Sequence, residues 1–549
     1  MLCALALSVA LPATARADST AGGDIQVAQS LGDRELTFTL RRVTGLPGPL
    51  YVDVFTHRGA PAGTLRLSAV PTGVSADAAA GAAAGTTTSS SPVRLGSEPG
   101  SYGTELRVDR AGPWELVVDD GTRTARIPFT VPAQTTSPPE LAAFGGFVAA
   151  GVLMLVTVVV AVRARRGTGT LVLTGGIAAA LATAVTATLL SASLPAPPAP
   201  GRDVDATQDN AADPYAVVRP VGSEQSRPPA ALELSPYTAS AGKPGTLRLT
   251  LTDGATGLPA DDVVVHDGAL VHLLVIGPTG ELWHVHPVRT APGVYEVRLR
   301  LPAAGHYAVS AEFARRGGGV QQLRSATGLT VAGKTPGSTP DLPADRRPEG
   351  PGSRTVDGVP VRLSAPSPRA KTATTLDARI GDTAKLQPWL GMVGHMIVVG
   401  PLEKTDASST DRMGEAAQDA AVWAHAHSMG AHMGADMGED MSGGTGAEHD
   451  RGGHAAHGSG HGDHGADDAG GADDAAGDSG ASHPMSGLMP LNGDSPADES
   501  VAAYGPDVSF VYAFPSPGYY RVWIQAERDN AVLTVPSLVY VAPAAGGTE

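Results

Sequence analysis

Cysteine is all but missing from this chain. Its 549 residues contain one, Cys3, and that residue falls inside an N-terminal apolar stretch that reads as a removable leader. A chain processed there has no disulfide framework and no thiolate to offer a metal. Blue-copper electron transfer, which needs a cysteine ligand, is excluded with it. Aromatic residues are scarce at 4% and charged residues few at 17%. Basic charge is also in deficit: the formal net charge is -16. Nucleic acid is therefore not an expected partner, because phosphate binding needs a basic face. Three enzyme signatures are lacking as well: there is no G-x-S-x-G elbow, no H-E-x-x-H helix and no phosphate-binding P-loop. A non-enzyme is the expectation.

Glycine and proline are plentiful, at 69 and 45 residues. That favours β-structure, turns and linkers over helical bundles. The length exceeds one ordinary domain. Residues 1–17 read as a signal peptide, with Ala15-Arg16-Ala17 as a small-x-small cleavage site. Residues 141–163 and 171–194 are apolar and long enough to cross a membrane. Between them stand Arg163, Arg165 and Arg166. Arginines in a short connecting loop place that loop in the cytoplasm. A multi-pass cell-membrane protein, with most of the chain extracytoplasmic, follows as the expectation.

Residues 24–132 alternate apolar and polar positions in short runs such as "ELTFTLRRV" and "TARIPFTV", the pattern of an antiparallel β-sandwich. A polar, proline-rich linker fills 195–229. Two further β-rich regions follow, 230–333 and 358–543, divided by a linker at 334–357. The two regions repeat one another. The first holds "VHLLVIGPTGELWHVHP" and "GHYAVSAEF"; the second holds "GHMIVVGPLEK", "VWAHAHSM" and "GYYRVWIQ". The fold class expected is mainly β, with three sandwich modules and a two-helix membrane hairpin. The second repeat carries an insert, 428–500, rich in His, Met, Gly and Asp.

Strand blocks such as "GPLYVDVF", "LWHVHP" and "GYYRVWIQ" resemble the immunoglobulin-like modules of bacterial extracytoplasmic proteins of the YtkA-like and FixH-like type. Several such families are associated with copper. The resemblance implies the sandwich fold and a metal-handling setting, and transfers no ligand set residue by residue.

Two histidine trios stand out. His284 and His286 are two apart on a predicted strand, so they share a face. His272 lies on the strand before it, across a tight turn. In a hairpin, paired positions have a constant index sum. At 558, His272 sits opposite His286 and three imidazoles converge; at 557, it points to the other face. The repeat supplies His395, His425 and His427 in the same places. His266 is a further candidate for the first site. His306 is a weaker one, because Tyr519 takes its place in the repeat.

The insert adds Met429, His432, Met433, Met437, Met441, His449, His454, His457, His461 and His464, with His483, Met485 and Met489 beyond. Glycine follows Met429, Met433 and Met437, and each glycine costs a helix about 1 kcal/mol relative to alanine. A buried methionine stripe is disfavoured on that ground. Thioether favours Cu(I), while imidazole accepts Cu(II), zinc and nickel. Asp436, Asp440, Asp463, Asp467 and Asp468 would concentrate cations. Copper is the expected metal and zinc the second choice, with fixed sites on the trios and a capture loop in the insert. The competing reading is an envelope surface-interaction or structural protein, or an accessory subunit held by a membrane partner, with the insert as a solvated spacer.

Overall fold

The structure is a computed structural model. It describes residues 24–545 apart from 42, 44, 73–84, 132–137, 164–167, 194–227, 317, 334–348, 410 and 429–503. The signal peptide, most of the 195–229 linker and all of the insert beyond Ser428 lie outside the described residues. That includes Met429, His432, Met433, Met437, Met441, His449, His454, His457, His461 and His464.

The chain is mainly β, as its composition predicts. The first module has two four-stranded antiparallel sheets. One orders Ile25–Leu31, Arg34–Leu40, Gly48–Thr56 and Gly100–Val108; the other orders Ser89–Leu95, Gly63–Pro71, Gly112–Asp119 and Thr124–Val131. Alternation places one face inside: Ala125, Ile127, Phe129 and Val131 of the last strand are all buried.

The two repeats are sandwiches of matching design. In the second module the strands His272–Ile276, Leu282–Val285 and Gly305–Arg315 lie in one sheet. In the third module Gly394–Leu402, Val422–Ser428 and Gly518–Arg528 occupy the same places. The opposite sheets are built on Pro244–Asp253 and Ala373–Ile380.

One boundary differs from the sequence reading. The stretch 334–357 contains a strand, Gly352–Val356, which pairs with Val359–Ser364 in the third module. The turn between them is Asp357-Gly358, both at positive φ (48° and 79°). An Asp-Gly pair with two left-handed residues is the tight turn whose twist suits a hairpin, and proline-rich surroundings masked it.

The two sheets that carry the histidines face each other. Leu273 and Val275 point into the second module's own core, so His272, Leu274 and Ile276 point out of it. Likewise Met396 and Val398 face inward, and His395, Ile397 and Val399 face outward. Between the sheets a separate apolar cluster forms from Leu274, Ile276, Ala308, Ile397, Val399, Trp423 and Trp523. It is closed by the helix Met413–Asp419, whose Met413 and Ala417 are buried there. Each large side chain so buried stabilises the pairing by roughly 1.5–3 kcal/mol.

Two helices, Pro138–Arg163 and Thr168–Ser193, join the first module to the second repeat's partner. Both are long and apolar enough to cross a membrane, with mean hydropathies of 2.5 and 1.8 over their candidate spans. They meet through small residues. A Cβ on Gly146 would stand 2.8 Å from the Ala180 carbonyl and 2.9 Å from Ala184. Leu155, Val162 and Leu189 remain on the outside. Close backbone approach through Gly and Ala, with bulky residues outward, is how helices pair in lipid.

Candidate metal centre

The hairpin register follows the 558 alternative. Leu273 pairs with Val285, and Leu274 with His284. The turn that sets it is closed by Gly277 N–H donating to the Glu281 carbonyl at 3.0 Å. His272, His284 and His286 then share one face. One ring nitrogen from each lies within 4.8 Å of the others. In the third module His395 pairs directly with His427, and Ile397 with His425, which repeats the register.

The sequence reading gives each module its own site. The structure joins the two. The histidine-bearing faces pack together, and the rings of His284 and His425 lie 4.8 Å apart, His272 and His425 5.2 Å apart. One ring nitrogen each from His284, His395 and His425 also fall within 4.8 Å. His272, His286 and His395 are fully buried, and His284 is 7% exposed.

Every ring is held from outside. His272 Nε2 donates to the His266 carbonyl at 3.0 Å, and His395 Nε2 to the Trp389 carbonyl at 3.1 Å. Both acceptors sit six residues upstream, at the start of duplicated tight turns. Asp267-Gly268 and Leu390-Gly391 occupy the positive-φ positions of those turns. His284 Nδ1 faces Gln525 Oε1 at 3.0 Å, across the module boundary. His425 Nδ1 faces Glu312 Oε1 at 3.3 Å, across the same boundary in the other direction. Glu312 and Gln525 are counterparts, since they pair with His272 and His395 respectively. His427 Nδ1 faces Asp267 Oδ2 at 3.4 Å.

The sixth ring is held by the first module. Glu35 Oε1 accepts from His286 Nδ1. Ser30 N–H donates to the His286 carbonyl at 2.8 Å, and His286 N–H donates to Ser30 Oγ at 2.9 Å. The first module thus caps the centre. It is pinned to the third module as well, where His57 Nδ1 lies 2.7 Å from Glu527 Oε1.

These acceptors fix the tautomers. With the outer nitrogen carrying the proton, the inner nitrogen of each neutral ring carries a lone pair. His272 Nδ1 and His284 Nε2 then face each other at 3.1 Å. His425 Nε2 faces His395 Nδ1 and His427 Nε2, both at 3.2 Å. His286 Nε2 is buried with no hydrogen-bond partner. Converging lone pairs repel unless a cation lies between them. An ion with metal–nitrogen bonds of about 2.0–2.1 Å in tetrahedral array spaces its ligand atoms by about 3.3 Å. The separations of 3.1–3.2 Å among these inner nitrogens are close to that spacing.

Electrostatics agree. Burial, and then the charge of an adjoining His286 or His427, drives His272, His284, His395 and His425 well below the ordinary histidine value. Burial also lowers His427, against the pull of Asp267. They are neutral at physiological pH, the form that ligates metal. Burial opposes the Asp267 carboxylate, but His427 and His266 outweigh it and hold it below the usual range. Glu312 goes the other way: burial pushes it up to about 7, with His266 opposing.

His266 stands in the outer layer, grouped with Asp267 and Glu312 within 4.8 Å. His306 is elsewhere, 3.4 Å from Gln418. Sequence reasoning missed the outer partners Glu35, Asp267, Glu312 and Gln525. The repeat held a signal for two of them: Glu312 and Gln525 each fall five residues after a repeat-matched tyrosine, Tyr307 and Tyr520.

No protein-family model and no curated protein matches the chain. Among solved structures it is similar to FdeC, an Escherichia coli adhesin, at 11% identity and a TM-score of 0.14, covering 95% of this chain and 99% of that one. It is similar to a membrane-anchored protein from Corynebacterium diphtheriae at 9% identity and a TM-score of 0.14, covering 96% and 98%. Invasin, a bacterial integrin-binding protein, gives 9% identity and a TM-score of 0.12, covering 95% and 59%. Likeness at this level carries no conclusion about function, and the fold rests on the strand pairing above.

Proposed function

We propose that this chain is a membrane-anchored, extracytoplasmic metal-binding protein that holds copper, with zinc as second choice, in an all-histidine centre between its second and third modules. One observation carries the reading: six buried imidazoles, five hydrogen-bonded at the outer nitrogen and His427 facing Asp267, turn their inner nitrogens toward one another. Borderline imidazole ligands suit copper and zinc, and copper binds the more tightly of the two. By the positive-inside rule the arginines between the helices favour a cytoplasmic turn with all three modules outside, and the packing of the modules on one another suits any arrangement that keeps them on one side. The His/Met segment begins directly after Ser428, one residue beyond His427. Its composition suits it to gathering ions for the fixed centre, in a role in copper homeostasis or resistance.

The test is metal retention. The full chain in detergent is loaded with Cu(I), Cu(II) or Zn(II), dialysed, and its metal counted by mass spectrometry. The variant His284→Ala/His425→Ala is treated alike. Retained metal that the double variant loses supports the centre. Equal retention by both proteins moves binding to the His/Met segment. Retention by neither ends the metal reading and leaves an envelope surface-interaction protein.

A further inference from the structure

We infer that the centre is a paired one, holding two ions, with His272, His284 and His286 around the first and His395, His425 and His427 around the second. This rests on the metal-binding reading above and adds to it the number and partition of the ions.

The shape of the ring cluster argues for two. Within each trio all three rings are neighbours, with centroids 5.1–5.4 Å apart in the first and 4.3–5.5 Å in the second. Across the boundary only three ring pairs meet: His272 with His425, and His284 with both His395 and His425. His286 and His427 meet no ring of the other trio among the described residues. The cluster is therefore elongated, with His286 at one end and His427 at the other. A single octahedral ion would need all six nitrogens around one point. An elongated array of two ring trios provides two points, with His284, whose ring nitrogen also falls within 4.8 Å of those of His395 and His425, standing between them.

Each trio is also complete in its outer support. The first has the His266 carbonyl, Gln525 and Glu35. The second has the Trp389 carbonyl, Glu312 and Asp267. No two rings of the trios share an outer partner, though Asp267 also meets the His266 ring at 3.0 Å. Carboxyl groups stand outside both trios, Glu35 at the first and Asp267 and Glu312 at the second, and buried cations need such compensation.

The test removes the competing segment without shortening the chain. Histidines and methionines between 429 and 489 are replaced by serine, and the protein is loaded with Cu(II). Two coppers per chain are expected, with a spin–spin signature in electron paramagnetic resonance: a half-field line, or an intensity well below the copper count. His286→Ala should leave one copper and restore an isolated Cu(II) spectrum, and so should His427→Ala. One copper per chain in the parent overturns the pairing but leaves the metal reading standing. No copper in the parent overturns both. Two coppers with isolated spectra place the ions apart and overturn it too. The parent spectrum needs no variant, so a variant that fails to fold leaves the test intact.

Discussion

His284 shows how much a single side chain is asked to do. It is buried, neutral, bonded outward to Gln525 and aimed inward at His272. Four rings in that condition make the metal-free protein sensitive to acid. In the unfolded chain each takes up a proton near pH 6.5; folded, each resists until lower pH. Below 6.5 the unfolded state binds more protons, so stability falls as pH falls. The loss is up to about 1.4 kcal/mol per pH unit for each ring, ending once pH drops below the folded values. Urea midpoints of the metal-free protein should therefore drop markedly from pH 7.5 to 5.5, and an unchanged midpoint would contradict the buried neutral rings. The His-x-His pairs were legible, because that spacing on a strand states its own face, whereas the place of His272 beside its pair hung on a hairpin register that two index sums satisfied equally. Their outer partners were less so. Glu35 acts from a different module, some 250 positions away along the chain, and nothing local marks it.

Strands carry the next level of information. "VHLLVIG" and "GHMIVVG" are apolar on both faces, the mark of a strand covered on both sides. That signal was present, yet it does not say what covers the second face. The answer is the other repeat. Trp523 sits at the heart of this contact, 1% exposed, with its Nε1 donating to the Gly280 carbonyl at 3.1 Å. Trp523→Ala should destabilise the protein by about 3–5 kcal/mol. It should also expose the joint between the second and third modules to protease while each sandwich stays folded. Equal protease resistance in the variant and the parent would show that the modules do not depend on this contact. Short helices such as Met413–Asp419 escaped the sequence reading because seven residues with glycine in the first turn give little periodicity.

At the scale of the whole chain, three modules converge although two apolar helices interrupt them. The first module reaches the centre through Glu35 and Ser30, and the third through His57 and Glu527. If the two helices cross a membrane, this packing requires the segments before and after them to lie on one side of it. Near-absence of cysteine makes that measurable. Thr122→Cys and Ser353→Cys, both at exposed positions, should react with a membrane-impermeant maleimide on intact cells. Gly167→Cys, between the two helices, should react only after permeabilisation. Labelling of Gly167→Cys from outside would reverse the orientation. The apolar runs made the two candidate spans legible. The capping of the centre by the first module was not, since it depends on tertiary contacts between segments that have no resemblance in sequence.

The internal duplication has a consequence for how the centre assembles. Corresponding side chains, Gln525 for His284 and Glu312 for His425, cross the boundary in opposite directions, as they would between two copies of one subunit about a twofold axis. A single module with this face could build the same centre only by meeting its twin, and its occupancy would then follow protein concentration. Joining both halves in one chain makes the encounter intramolecular, at an effective concentration set by the connecting segment. A protein present in few copies on a membrane can then keep its halves paired, however dilute it is.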